Sequence, residues 1–316
     1  MKKTEFSFPS SDGKTQIHAI RWEPDEGVRV RAVLQMTHGM IEYIDRYEPL
    51  AAFMAEKGFL VVGHDHLGHG ASVTDESLLG YIADHPHPED YMVADIQALR
   101  ERIQKECQGL PYFILGHSMG SYLLRKYLTR YGAGLAGALI LGTGFENPLL
   151  VRYAILATKA VSLFKGSHYR SRYLQNLSYT KYYKGFGMDA SRPTEHWLTQ
   201  NVEILKRYCA DPHCTFVFTA NGYLALYNTV LFVCTRKHIA EIPADLNLLV
   251  MSGENDPVGS CGIGVKHFVD DLKTTGHNNV TCKLYKGDRH ELINEPDRQT
   301  VYQDILAWTE KALETI

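Results

Sequence analysis

Three residues far apart in the chain have the types and settings needed for nucleophilic catalysis: a serine, an aspartate and a histidine. Gly116-His117-Ser118-Met119-Gly120 follows the apolar run Tyr112-Phe113-Ile114-Leu115 and precedes a helix-like stretch at 122–128. A strand, a G-x-S-x-G turn and a helix in that order predict a strained bend that lifts the serine hydroxyl clear of a sheet. A side chain at Gly116 or Gly120 would collide with that bend. The helix starting beneath Ser118 would turn its free N–H groups and positive dipole end toward any developing oxyanion.

A serine hydroxyl is a weak nucleophile until a base takes its proton, and the base in turn needs an orienting acid. On a scaffold of this kind the three follow in the order Ser, acid, His, each in a loop after a strand. Ser252-Gly253-Glu254-Asn255-Asp256-Pro257-Val258 follows the apolar run 246–251. Asp256 is preferred over Glu254 because it lies deeper in this loop and precedes a proline that stiffens the backbone. Gly287-Asp288-Arg289-His290-Glu291 follows the run 280–285 and nominates His290. His267 falls inside an expected helix and His277 in a polar turn, neither with an acid-bearing loop arranged for it. The chemistry this implies is acyl transfer, with His290 as base, Asp256 fixing its tautomer, and an oxyanion held by two backbone N–H groups. Those amides are expected from Met119 and from Met40, where Gly39 lets the backbone come close.

Positioning these residues requires a parallel sheet. The chain opens with alternating segments at 4–8 and 16–22 around Ser10-Ser11-Asp12-Gly13, which predicts a hairpin. Short apolar runs at 32–36, 59–62, 112–115 and 135–141 then alternate with helical periodicity at 47–57 and 91–107. The pattern returns at 246–251 and 280–285, with a final helix at 298–313. Such alternation means an α/β fold, its sheet covered on both faces. Residues 145–232 break the rhythm with helical periodicity and dense aromatics, and are expected to form a helical cap on a core of 1–144 and 233–316.

Composition narrows the function further. A chain of 316 residues, 45% hydrophobic and 22% charged, suits one large domain with an insertion. A net charge of −3 offers no field for nucleic acid. Six scattered cysteines without C-x-x-C spacing argue for reduced thiols and a cytoplasmic setting. No apolar segment follows Lys2 and Lys3 as in a secretion signal, and none is long enough to span a membrane. His64-Asp65-His66-Leu67-Gly68-His69-Gly70 invites a metal reading, but its spacing fits no metal motif and its glycines predict a tight loop. Neither metal nor cofactor is expected.

Taken in order, His38-Gly39-Met40-Ile41-Glu42 with Arg46-Tyr47, Asp65-His66-Leu67-Gly68-His69-Gly70-Ala71-Ser72, the elbow at 116–120, and Arg289-His290-Glu291 with Asn294-Glu295 form one set. The set resembles the monoacylglycerol lipase and lysophospholipase branch of the α/β-hydrolases, over about residues 15–145 and 240–316. The resemblance implies an eight-stranded sheet, a helical cap, hydrolysis of esters of single-chain lipids and no cofactor. It makes Ser118, Asp256 and His290 the triad, with the amides of Met40 and Met119 as oxyanion donors. One departure is Tyr43, where such proteins often carry histidine; this bears on the pocket and its substrate rather than on the reaction.

The expected cap supplies aromatic walls, among them Tyr153, Tyr179, Tyr182, Tyr183, Trp197 and Phe216, which suit an acyl chain or an aryl group. Between residues 147 and 188 there is no acidic residue, while Arg152, Lys159, Lys165, Arg170, Arg172, Lys181 and Lys184 are present. A basic amphipathic surface of this kind suits transient contact with anionic lipid; the competing reading is a solvated helix face. The partner is therefore a small ester or lipid. Other readings of the same scaffold are a short-chain or aryl carboxylesterase, an aminopeptidase-like amidase, and a non-catalytic ligand receptor. A dehalogenase would need a carboxylate nucleophile in place of Ser118.

Overall fold

The alternation of apolar runs and helical segments resolves, in a computed structural model that describes residues 1–179, 186 and 196–314, into a sheet with helices on both faces. Strands β1 (Lys2–Pro9) and β2 (Gln16–Glu23) form the expected hairpin, closed by the Ser10 N–H on the Thr15 carbonyl at 2.8 Å. The chain continues through β3 (Ala32–Thr37), α1 (Glu48–Glu56), β4 (Phe59–His64), α2 (Glu89–Glu106), β5 (Tyr112–His117), α3 (Met119–Tyr131) and β6 (Gly137–Leu141). Helices α4 (Pro148–Lys165), α5 (Arg172–Tyr179), α6 (Val202–Ala210), α7 (Ala220–Val233) and α8 (Arg236–Ile239) follow. Then come β7 (Leu248–Gly253), α9 (Ile263–Thr274), β8 (Val280–Tyr285) and α10 (Arg298–Leu313). The eight strands run in the order β1-β2-β4-β3-β5-β6-β7-β8, with β2 antiparallel to both its neighbours and every later pair parallel.

Every residue of β3, β4, β5, β6 and β7 is buried, which explains why these strands read as continuous apolar runs rather than alternating ones. One face packs against α2, α3, α7 and α9 through residues such as Ile96, Leu124, Tyr223 and Phe268. The other packs against α1 and α10 through Leu50, Met54, Val301 and Ile305. Two of the expected strands begin later than their apolar runs. The Leu135 N–H closes a turn on Gly132 and the Leu246 N–H closes one on Pro243, so β6 and β7 each start two residues on.

The interruption expected at 145–232 lies between β6 and β7 and contains α4 to α7. Its last helix is sewn to the body of the fold: Asn221 accepts from the N–H groups of Ile82 and Ala83 and donates to the Ala83 carbonyl. Arg125 on α3, fully buried, donates to the Thr143 hydroxyl at 3.1 Å, the Gly144 carbonyl at 2.9 Å and the Val233 carbonyl at 2.8 Å. One guanidinium thereby holds the chain where it leaves the sheet for the insertion and where it returns.

Candidate active site

Strand β5 ends at His117 and α3 starts at Met119, so Ser118 alone makes the turn. It does so at φ 53°, ψ −121°, a conformation that non-glycine residues rarely hold. Its surroundings enforce it. The Ser118 N–H donates to the Leu141 carbonyl at 3.0 Å, and its own carbonyl accepts from the Ser121 N–H at 2.9 Å and the Ser121 hydroxyl at 2.6 Å. A Cβ on Gly116 would stand 2.4 Å from the Gly120 carbonyl oxygen, and one on Gly120 would stand 2.3 Å from that of Thr37. The two glycines of the motif are therefore required by close packing of the elbow against itself and against the end of β3.

The loops after β7 and β8 bring the other two candidates to the serine. The Ser118 hydroxyl lies 2.8 Å from His290 Nε2, and His290 Nδ1 lies 3.0 Å from Asp256 Oδ2. The carboxylate faces Nδ1, so that nitrogen carries the proton and Nε2 is free to accept the serine's. Asp256 is fully buried, which alone would push its pKa up. The charge and hydrogen bond of His290, the Val258 N–H at 2.8 Å and the Ser252 hydroxyl at 3.1 Å outweigh burial and hold it below the ordinary carboxylate value. His267 lies on α9 and His277 is buried between the carbonyls of Leu272 and Ile242; neither joins this group.

Met119 is the first residue of α3, so its N–H has no acceptor within the helix. The Met40 N–H has no hydrogen-bond acceptor among the described residues. Gly39 passes so close to the elbow that a Cβ there would stand 3.0 Å from Ser118 Cβ and 2.5 Å from Glu42 Oε1. Glu42 organises this loop. It accepts from the Gly39 N–H at 2.6 Å, the Tyr47 hydroxyl at 2.9 Å and Arg46 at 2.6 Å. Arg46 also grips Glu291, the neighbour of His290, through two bonds of 2.9 and 2.8 Å. His117 completes the network, its Nδ1 3.2 Å from Glu42 and its Nε2 3.2 Å from the His290 carbonyl. Both ring nitrogens face oxygens, so the ring carries both protons. Burial alone would depress its pKa, but Glu42 reverses the shift and raises it. Burial likewise opposes the ionised form of Glu42, yet His117 and Arg46 keep it charged far below the usual range.

This network is what sequence reasoning missed. Glu42, Arg46, Tyr47 and Glu291 were legible only as motif letters, although the spacings from Gly39 to Glu42 and from Glu42 to Arg46 are those of one turn. Tyr43 donates to Asp211 at 2.7 Å and lines an adjoining cavity with Arg46 and Tyr208 rather than the one above Ser118.

The histidine-rich stretch forms the expected tight loop, with Gly68 at φ +72° and Gly70 at φ +48°. Its imidazoles turn inward: His38 stands 4.3 Å from His66 and 5.1 Å from His69, ring centre to ring centre. Burial pushes His64 and His69 down to about 3, and His38 and His66 also fall. His38 donates from Nδ1 to the Gly39 carbonyl and accepts the His66 N–H on Nε2, which supports the Gly39–Met40 backbone from behind. Among the described residues no group of three or more acidic, histidine or cysteine side chains is arranged to hold a metal.

A cavity of about 220 Å³ opens above Ser118 and His290. Its walls include Met40 and Ile41 from the loop after β3, and Tyr179, Trp197, Tyr208 and Phe216 from the insertion. Trp197 packs 4.9 Å from the His290 ring. Farther out, α4 buries Val151, Ala154, Ile155 and Thr158 yet leaves Leu149, Leu156, Leu163 and Phe164 between 67 and 80% exposed. Arg152, Lys159 and Lys165 are also exposed, so the outer face is apolar as well as basic. Lys181, Tyr182, Tyr183 and Lys184 lie outside the described residues. No helix among the described residues is long and apolar enough to cross a membrane.

Comparison with known proteins agrees with the fold. The family profile described as serine aminopeptidase, S33 matches residues 28–297. A monoacylglycerol lipase of Mycolicibacterium smegmatis is 26% identical over 97% of this chain and 96% of its own. A human monoglyceride lipase is 30% identical over 90% of this chain and 84% of its own. Among solved structures, a thermostable carboxyl esterase from Bacillus coagulans, crystallised with glycerol, superposes with a TM-score of 0.86 at 28% identity, covering 99% of both chains. The fold, the elbow and these relatives lead to one assignment: the chain belongs to the serine aminopeptidase S33 family of α/β-hydrolases and is a monoacylglycerol lipase-like serine ester hydrolase.

Proposed function

We propose that the enzyme cleaves esters of single-chain lipids, of the monoacylglycerol or lysophospholipid type, by an acyl-enzyme mechanism. Ser118 Oγ attacks the ester carbonyl as His290 Nε2 takes its proton, and Asp256 steadies the imidazolium that forms. The amide N–H groups of Met40 and Met119 receive the oxyanion. His290 returns the proton to the departing alkoxide, and a water activated by the same imidazole then releases the acid. The observation that carries this reading is the relay of 2.8 and 3.0 Å from Ser118 through His290 to Asp256.

The lipid substrate is supported by the apolar walls of the cavity and by the relatives named monoacylglycerol and monoglyceride lipase. In this reading 145–232 is the cap and 1–144 with 233–316 the catalytic core. The cap docks transiently on anionic lipid through α4, where exposed leucines lie beside Arg152, Lys159 and Lys165 with no acidic residue between 147 and 188. The second reading is a short-chain or aryl carboxylesterase, which the similarity to a carboxyl esterase supports as to reaction class. A panel of monoacylglycerols, lysophospholipids, short nitrophenyl esters and amino-acid amides separates the two. Turnover that rises with acyl length supports the lipid reading, and activity confined to acetyl esters or amides overturns it. Sedimentation with anionic vesicles tests the docking, and negligible binding would remove it.

A further inference from the structure

The insertion returns to the catalytic loop along a short segment that brackets His290. Arg289 donates to the His196 carbonyl at 2.6 Å, and the Glu291 N–H donates to the Leu198 carbonyl at 2.8 Å. Trp197 therefore sits opposite His290, and their rings stand 4.9 Å apart. Thr199 and Gln200 extend the seam by donating to Glu295, which also accepts the Arg289 N–H. His290 must protonate the departing oxygen, so the leaving alcohol passes beside this imidazole. Residues 196–198 are consequently the wall on the alcohol side.

Within that wall His196 is 4% exposed and lines the cavity above Ser118. Its Nδ1 accepts the Leu198 N–H at 3.2 Å, so in the neutral ring the proton resides on Nε2. Burial pushes its pKa down to about 4, against Glu291 and with Arg289, so the ring is neutral at working pH. No acceptor for Nε2–H is found among the described residues. The result is a donor of fixed tautomer, held by the same seam as His290, in a cavity whose lining also includes apolar Met40, Ile41 and Phe216 and polar Gln175 and Thr215.

We infer that His196 is a specificity-determining residue whose Nε2–H receives a free hydroxyl of the leaving alcohol, favouring polyol esters over simple alkyl esters of the same acid. The inference rests on the ester-hydrolase mechanism proposed above and adds which alcohol is chosen and by what group. A site built to hydrogen-bond a substrate hydroxyl rejects the analogue that lacks it, because the buried donor is then left unpaired.

The test compares 1-decanoylglycerol with methyl decanoate, which share the acyl group and differ in the alcohol. The readout is the ratio of kcat/KM for the two esters in wild type, H196F and H196Q, with fluorophosphonate labelling confirming an intact Ser118. Wild type is expected to prefer the glycerol ester, and H196F to lower the ratio about tenfold, mainly through KM for that ester. H196Q, which retains an N–H donor, should recover part of the preference, and the wild-type ratio should stay flat from pH 6 to 9. If H196F does not fold, the same ratio is read on H196A. A ratio unchanged within twofold, or equal loss on both esters, overturns the assignment while the mechanism stands. Wild-type inertness toward both esters overturns the assignment and the substrate reading together.

Discussion

The sheet end that carries Ser118 and the outer face of α4 use side chains in opposite ways. Around the elbow, charged and polar groups are buried and nearly all are paired: Glu42 with Arg46 and His117, Arg46 with Glu291, Asp256 with His290. On α4, apolar side chains are exposed and the cations beside them point to solvent. The first arrangement fixes geometry before substrate arrives, which lowers the barrier to chemistry. The second offers surface to something other than this chain. Substitutions in the two regions should therefore separate kcat from the partitioning of enzyme and substrate.

The largest effect belongs to the proposed nucleophile. Ser118→Ala should lower kcat by about 10⁶-fold without loss of fold, measured by single-substrate kinetics beside thermal unfolding. Asp256→Asn should lower kcat by about 10⁴-fold, because an amide in that place favours the wrong His290 tautomer. If D256N kept more than a tenth of the wild-type kcat, the orienting role of Asp256 would fail. Glu42→Ala removes the acceptor shared by Gly39, Tyr47, Arg46 and His117, and should destabilise the fold by about 3–5 kcal/mol in urea unfolding. A loss below about 1 kcal/mol would mean the network is not needed for stability.

Much of the convergence of Ser118, Asp256 and His290 was legible in the sequence because its requirements are local. The elbow is fixed by five successive residues, and Asp256 and His290 by their places after strands β7 and β8. The C-terminal helix falls at 298–313, as its periodicity predicts. What escaped prediction depends on contacts between distant segments. Arg46 and Glu291 are 245 residues apart in the chain, so no window contains both. Trp197 was legible as an aromatic of the insertion, but only the folded chain sets it and His196 against His290. The basic surface of α4 was legible, but the exposure of its leucines was not: both sides of this helix are apolar, and periodicity cannot say which one is covered.

The histidine loop offers a sharper contrast with the paired network, since His64 is buried with neither ring nitrogen hydrogen-bonded. Unfolded chains protonate this ring near pH 6.5, whereas the folded ring resists until about 3. Its contribution is thus fully present above pH 6.5 and is lost as pH falls toward 3. His64→Leu should gain about 2 kcal/mol more relative to wild type at pH 5 than at pH 8, in paired urea titrations. An equal difference at both values would show that His64 is not held neutral. His117 has the opposite sign: its raised pKa makes its contribution complete below pH 6.5 and lost as pH rises through the folded value.

The smallest effects belong to α4. Lys159→Ala should weaken binding to anionic vesicles about fivefold, from about 1 kcal/mol per cation near a charged leaflet. Turnover of a soluble short ester should change by less than about twofold, since surface substitutions rarely disturb a distant site. Loss of soluble-ester turnover in K159A would erase the division between the two regions.

The most direct test of the central claim is labelling with a fluorophosphonate, read by mass spectrometry of the digested protein. The account predicts one phosphonyl adduct per chain, on Ser118, with labelling slowed by orders of magnitude in His290→Ala. An adduct on another residue, or labelling of Ser118 at an unchanged rate without His290, would contradict it.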